Sequence, residues 1–530
     1  MRIRRWLAGT AVLLAAGVAA CGGDRSAGGD TVIVGMRADF SGINPVTNSS
    51  HYTAQIINYG LFTPLIQYDA QLQPEPYLAE SWELLGDTAI RFRLRDDVRW
   101  HDGQPVTAED VKFTFDLAKD PETASLLATA FLADVAEAAV EDARTVVFRF
   151  TRPHAQAVED FWWPPLPRHL LHDVAPAELA NAPYNRAPVG SGPFRFGEWR
   201  SNERLVLERN PDFTAALGGP AAAARIVFRV VPEASTLLTE LLTGRVHVDL
   251  PLLPEQVAQV EGSEATQLFS FPGTTVYYIG WNNGREPFTD ARVRLALAHA
   301  IDRQEIVNAL LHGHGELATS TIPPWHPAYP ADVAPLAHDR ARAGALLDEA
   351  GWRDGDGDGI RERGGRKLAF TMLASDDQLR RAVVEVLQNQ LRAVGVQVDV
   401  RVTEFQTMLA AHKERDYDAV FSNWVLDNFQ VAGSPFALLH SSLVDVPLST
   451  NRSAVRNPRL DALIERGATA LEPDAQRATW REFTQLLQQE QPVTFMFWLA
   501  ELAAARADVQ GIEMDPRGEL RTMARWTTGR

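Results

Sequence analysis

Apolar residues along this chain recur with two spacings. Ile90, Phe92 and Leu94, then Val146, Phe148 and Phe150, alternate with other residues, which predicts half-buried strands. Val293, Ala296, Leu297, Ala300 and Ile301 fall at helical spacing and predict a helix with Thr289 or Asp290 as its N-cap. A strand, Val276 to Trp281, and an Asn282-Asn283-Gly284 turn precede it. Asp302 is placed to cap the next helix with Glu305 as capping-box partner; Thr107 and Asp110 repeat that pattern ahead of Val111, Phe115 and Ala118. Thr31 to Met36, Leu205 to Arg209 and Ile226 to Val231 read as further strands. A βαβ unit stands out later. Leu368 to Leu373 is a strand, and Asp376 or Asp377 opens a helix bearing Leu379, Val383, Val386, Leu387, Leu391 and Val394. Gly395 closes it at C′, and Val396, Val398, Val400 and Val402 form the next strand. A short helix from Phe405 to His412 leads to the strand Tyr417 to Phe421. That strand ends in Ser422-Asn423-Trp424-Val425-Leu426-Asp427-Asn428. Ligands of open α/β sheets gather at the carboxyl ends of strands, so Asn423, Trp424, Asp427 and Asn428 are candidate ligand contacts.

Composition changes this picture little. A chain of 530 residues exceeds one core and predicts two or three domains. Its formal charge is −17 with no basic block, which argues against nucleic acid as a partner. The first twenty residues, however, differ from the rest. Arg2, Arg4 and Arg5 precede a short apolar run from Trp6 to Ala16, the pattern of a signal peptide, 1–20. Small residues then lead directly into Cys21, the only cysteine, in the manner of a bacterial lipobox. Residues 21–30, rich in Gly, Ser and Asp, read as a flexible lipid-anchored tether. No later stretch has the ~20 apolar residues of a spanning helix, so attachment is expected through the lipid alone.

Several motifs suggest chemistry and lose it on inspection. His101-Asp102-Gly103 looks like a catalytic pair but fits a hydrogen-bonded turn better. Ser191 lies between two glycines, yet Pro193 and a strand-like run follow it, unlike the strand–elbow–helix of a nucleophile serine. There is no H-E-x-x-H and no G-x-S-x-G. Asp354, Asp356 and Asp358 with Gly359 match the first half of a calcium loop. Position 12 of that loop is Gly365 rather than glutamate, and Glu362 stands at position 9, so a surface hairpin turn is the competing reading. His312-x-His314 has no further metal ligand nearby in sequence.

The string from Asn282 through P-F-T-D-A-R-V-R-L-A-L-A-H-A-I-D-R, with V-G-S-G-P-F at Val189 to Phe194 and W-H-D-G-Q-P-V-T-A-E-D-V at Trp100 to Val111, resembles the bacterial extracellular solute-binding proteins of family 5. These are peptide- and nickel-type receptors of ABC importers. The resemblance runs from about Val32 to the C-terminus. It implies an α/β, two-lobed periplasmic-binding-protein-like fold of type II, cluster C, with an extra inserted peripheral domain. Lobe I would comprise 31–64, 193–280 and 499–530, the inserted domain 65–192, and lobe II 281–498. Connections near Gly280 and Trp498 would form the hinge. The polar loop after the first strand would line the cleft, adding Ser41 and Gly42 to the candidate contacts. Trp424 to Asp427 resembles the family's Trp-x-x-Asp element, whose aspartate meets a peptide's free amine, although the usual Asp-Pro is replaced by Asn428-Phe429-Gln430. In dipeptide-type receptors a carboxylate-binding arginine follows the strand equivalent to Leu368–Leu373. Here Ala374-Ser375-Asp376-Asp377 occupies that place, and Arg380 and Arg381 come later.

The resemblance therefore implies a monomeric lipoprotein at a bacterial membrane, in the periplasm or at the cell surface, that captures a small ligand, an oligopeptide first, and passes it to a permease. It implies no catalysis and no cofactor, with calcium at Asp354–Glu362 as a weaker expectation. A nickel chelate or a sugar as ligand, a signalling receptor, and more remotely a secreted hydrolase are the alternatives.

Overall fold

The computed structural model describes residues 31–529 apart from 41, 49, 154–156, 427, 428, 430, 448 and 471. The expected signal peptide, Cys21, Ser41, Asp427 and Asn428 lie outside the described residues.

The chain is mixed α/β, arranged along one eleven-stranded sheet. In chain order its strands are β1 (Thr31–Met36), β2 (Phe194–Arg200), β3 (Arg204–Arg209), β4 (Arg225–Val230), β5 (Val248–Leu250), β6 (Thr266–Trp281), β7 (Gly315–Leu317), β8 (Ala369–Ser375), β9 (Gln397–Thr403), β10 (Ala419–Val425) and β11 (Val493–Arg506). They lie in the order β9-β8-β10-β6-β11-β5-β1-β4-β3-β2, and β7 pairs with β11. β1 runs parallel to β4 and β5, and β8 parallel to β9 and β10; the other pairs are antiparallel. A separate four-stranded antiparallel sheet is built from Ala79–Leu84, Ala89–Leu94, Thr145–Phe150 and Val135–Asp142.

The helices form where local signals ask for them. α1 (Ala108–Lys119) starts at a Thr107–Asp110 capping box. α2 (Ala291–Ala300) is capped by Asp290, whose carboxylate accepts from the Arg292 amide at 2.9 Å. Its predicted face, Val293, Ala296, Leu297 and Ala300, is fully buried. α3 (Arg303–Leu310) is capped by Asp302, but the reciprocal arm differs from the expected box. The Asp302 amide donates to Gln390 at 2.9 Å, and Glu305 also turns to Gln390. α4 (Gln378–Arg392) begins at Asp377 and is followed by Gly395 at φ +84°.

β6 and β11 are longer than their sequences predict. Val276–Trp281 is only the second half of β6, and Val493–Trp498 only the first part of β11. The two strands pair from Thr266↔Arg506 to Gly280↔Val493, with a register shift between Pro272 and Val276. Along them the core changes. Leu502 and Ala504 pack with Leu237, Leu241 and Leu252. Ala503 and Ala505 join β1 and the four-stranded sheet in one large core. Beyond the register shift, Tyr277, Ile279 and Trp281 face the core of α2, α3 and α4. Val276 and Tyr278 face the opposite core, around Trp480 and Phe483. This alternation is the period of two expected of a strand covered on both faces.

Candidate ligand cleft

The long sequence string around α2 proves to be scaffold. Asn282 is buried, and its amide nitrogen donates to the Tyr417 carbonyl at 2.9 Å. Asn283 donates to the carbonyls of Trp281, Ser453 and Pro492, each at 2.9 Å. Arg294 and Arg303 are buried and spend their guanidinium groups on main-chain carbonyls: Phe288, Glu490 and Gln491 for the first; Ala318, Leu336 and Phe495 for the second. Burial lowers both side chains to about 10, and both remain charged at neutral pH.

The two apparently catalytic motifs meet each other. The Gly190 amide donates to His101 Nδ1 at 3.0 Å, and His101 Nε2 donates to the Gly192 carbonyl at 3.1 Å. Burial keeps this imidazole neutral and pulls it down to about 4. Ser191 is 1 % exposed and bonds Thr63 Oγ1 at 2.6 Å. Gly190 and Gly192 are required by packing: a Cβ would come within 1.8 Å of the Leu61 carbonyl oxygen at the first and 2.5 Å of the Gly60 carbonyl oxygen at the second. Asp102 turns away to His169, 2.6 Å distant.

The candidate contacts separate. Gly42 lies beside Asn185, whose carbonyl accepts from the Ile43 amide at 2.9 Å. Asn423 and Trp424, as neighbours on β10, face opposite sides of the sheet. Trp424 donates to Ser434 Oγ at 2.9 Å and packs against the core around Trp480. Asn423 pairs in register with Tyr277 and accepts from Arg380 Nη2. Arg380 Nη1 also donates to Ser375 Oγ at 2.6 Å and to Asp377 at 2.7 Å, while its Nε has no partner. Its guanidinium lies 5.7 Å from the Tyr277 ring centroid. Arg380 is thus on the helix, as its sequence position requires, but its side chain returns to the carboxyl ends of β8 and β10.

Opposite this stands a group of ionisable side chains that no local sequence signal announces. His51 Nε2 lies 3.2 Å from Glu519, which also accepts from Gln55. Burial opposes charge on both His51 and Glu519, but their mutual contact outweighs it, so the imidazole is raised and the carboxylate lowered. Glu501, on β11 opposite Phe271, is raised to about 7 by burial and by Glu519, against the pull of His51. Asp249, on β5, is raised to about 7 by burial, partly offset by Arg37. Tyr52 feels Glu519, Glu501, Arg37 and Asp249 together, and Tyr277 feels both Arg380 and Glu501. The Glu501 carboxylate thus acts on both Tyr277 and Tyr52.

In the acidic loop the carboxylates of Asp354, Asp356 and Glu362 lie within 4.8 Å of one another. Asp354 accepts from the Gly357 and Gly359 amides, and Asp358 pairs with Lys367.

Residues 73–443 match the sequence profile of the bacterial extracellular solute-binding proteins, family 5 Middle. The chain belongs to this family. It is 28 % identical to the oligopeptide-binding protein AppA of Bacillus subtilis, over 97 % of both chains. It is 26 % identical to the dipeptide-binding protein of Escherichia coli, over 90 % of this chain and 91 % of that one. The structure of Bacillus subtilis AppA in complex with a nonapeptide superposes with a TM-score of 0.76 at 25 % identity, covering 94 % of this chain and 99 % of AppA. As a family 5 protein, the chain has the α/β periplasmic-binding-protein fold and is an extracytoplasmic substrate-binding component of ABC transport.

Proposed function

We propose that this protein captures an oligopeptide between two lobes and delivers it to the permease of an ABC importer, without chemical turnover. Similarity across 97 % of both chains to an oligopeptide-binding protein is the observation that carries the reading. Lobe I is assigned 31–64, 193–280 and 499–530, lobe II 281–498, and the inserted peripheral domain 65–192. The packing of β6 and β11 supports bending where their cores change, at Pro272–Val276 and Leu499–Leu502. On β6 this is a few residues before Gly280. A register shift there leaves fewer ladder bonds to break, which favours a hinge.

The peptide's amine is assigned to Asp427, and its carboxylate to Arg380, a fixed fork whose remaining Nε is unpartnered. Anchoring through Cys21 and a monomeric state complete the reading. Bound calcium at Asp354, Asp356 and Glu362 is a separate proposal, tested by a melting-temperature shift on chelation.

The test is solution scattering and calorimetry with alanine peptides of two to nine residues. Capture predicts binding, a smaller radius of gyration at saturation, and a raised melting temperature through linkage. Failure of every peptide, with binding of Ni(L-His) instead, would transfer the reading to a metal chelate. The Campylobacter jejuni protein NikZ, solved with Ni(L-His), shares the fold at a TM-score of 0.78.

A further inference from the structure

The carboxyl ends of β8, β9 and β10 meet at a switch in the path of the chain. After β8 the chain enters α4, whose Val383, Val384 and Leu387 pack with Phe370, Met372 and Ala374 on one face of the sheet. After β9 it enters α5 (Phe405–Lys413), whose Met408 packs with Leu373 and Val420 on the other face. β8 and β9 are parallel neighbours, in register from Ala369↔Gln397 to Ser375↔Thr403. Adjacent parallel strands whose helices leave to opposite faces open a crevice outside their carboxyl ends, where α/β sheets receive ligands.

A buried cation and two wet apolar side chains stand at these strand ends. Arg380 is 9 % exposed, and its guanidinium lies 5.7 Å from the Tyr277 ring centroid and 5.9 Å from that of Phe405. Phe405, the first residue of α5, is 41 % exposed, and Val425, the last residue of β10, is 44 % exposed. Val425 comes two residues after Asn423, which accepts from Arg380, so the two share a face and lie about 7 Å apart along the strand. β10 has its last β8 partner at Val420, opposite Leu373, and only β6 accompanies it on to Val425. Exposed apolar residues scattered singly are ordinary. Here two of them adjoin one buried cation at a strand-end crevice.

We propose that Phe405 and Val425 form a shelf for the side chain of the ligand's C-terminal residue, and that this protein prefers peptides ending in leucine or phenylalanine. The inference rests on the peptide reading and on Arg380 as the holder of the carboxylate. One carbon separates a terminal carboxylate from its own side chain. Once Arg380 fixes the carboxylate, that side chain is confined to the neighbourhood of the guanidinium, where Phe405 and Val425 are the uncovered surfaces. An apolar side chain there removes its own surface and theirs from water. It also dries the contact between guanidinium and carboxylate, which strengthens the attraction. A terminal lysine brings a second cation to Arg380, and a terminal serine leaves the shelf wet. Leucine in place of alanine adds three carbons, and half-buried on an open shelf they raise affinity about tenfold.

The experiment uses alanine pentapeptides with one leucine moved through the five positions, the same set as C-terminal amides, and peptides ending in phenylalanine, serine or lysine. Calorimetry is run on the wild type, Phe405→Ser and Val425→Thr. The expected result is a gain of about tenfold for leucine or phenylalanine at the last position and none for serine or lysine. That gain should fall to about threefold or less in Phe405→Ser and be reduced in Val425→Thr. Leucine at the other four positions should be indifferent to both variants. Amidation should cancel the gain, and a gain that survives it overturns the link to the carboxylate. A gain that both variants leave unchanged overturns the shelf, as does a variant-sensitive gain at an inner position. Peptides that bind equally whatever their last residue also overturn it and leave the peptide reading intact. If no peptide binds at all, the peptide reading fails, and hexanoate and acetate decide the shelf. A larger melting-temperature rise with hexanoate in the wild type, lost in Phe405→Ser, supports it; equal response refutes it. Unliganded melting temperatures verify that each variant is folded.

Discussion

Arg294 and Arg303 show what a long sequence signature can be for. Each carries a charge into the interior and satisfies carbonyls at the ends of segments that have no regular partner. Losing one strands several buried acceptors at a cost of about 1–3 kcal/mol each. Arg303→Met should therefore lower the melting temperature markedly. Arg292→Met, which removes a half-exposed arginine paired with Asp290, should lower it little. Equal melting temperatures for the two variants would remove the staple role. Asp427 is the contrasting residue, proposed to read an amine. Its neutralisation to Asn should leave the fold intact and weaken a free-amine peptide about tenfold to a hundredfold, since hydrogen bonds to charged groups contribute about 1.5–3 kcal/mol. N-acetylated peptide should bind the wild type weakly and the variant no worse. Identical affinities across the four combinations would exclude an amine contact at Asp427.

At the scale of elements, the loop after β10 reaches across to the first core. Phe429 lies between Tyr68, Trp162 and Trp325, with ring centroids 4.7, 5.3 and 5.7 Å away. Phe429 is 6 % exposed and belongs to the core of the four-stranded sheet, although it follows a strand of the other unit. Each such aromatic pair contributes about 0.5–1.5 kcal/mol beyond burial. Phe429→Ala should enlarge the radius of gyration of the ligand-free protein and speed peptide dissociation several-fold. Unchanged values for both would mean that the ring only fills space. Elements with local signals were legible from sequence: the Asp290, Asp302 and Asp377 caps, the buried face of α2, the alternating strands. The first half of β6 was not, because Thr266–Thr275 contains Pro272-Gly273 and owes its strand conformation to β11, more than two hundred residues later. The ionisable group around Tyr52 was equally hidden. His51, Asp249, Glu501 and Glu519 come from four distant segments, and nothing local marks any of them. Arg380 was visible as a residue but not as a cleft group, since only the start of α4 at Asp377 sends its side chain back to β8.

For the whole molecule, no helix among the described residues is long and apolar enough to cross a membrane. Attachment is proposed through a lipid at Cys21, which lies outside the described residues. Cys21→Ser should move the protein from the membrane fraction to the soluble fraction, because stable anchoring needs more than one acyl chain and a serine carries none. Retention after a high-salt wash would defeat the lipobox reading. The order of strands also determines how the protein can be dissected. Residues 281–498 look like a self-contained gene segment, yet that segment omits nearly all of β6, the strand that joins β10 to β11. Expressed alone it would have two raw sheet edges where one continuous ladder belongs, an invitation to aggregate. A fragment starting at Thr266 and ending at Arg506 keeps the β10-β6-β11 ladder whole.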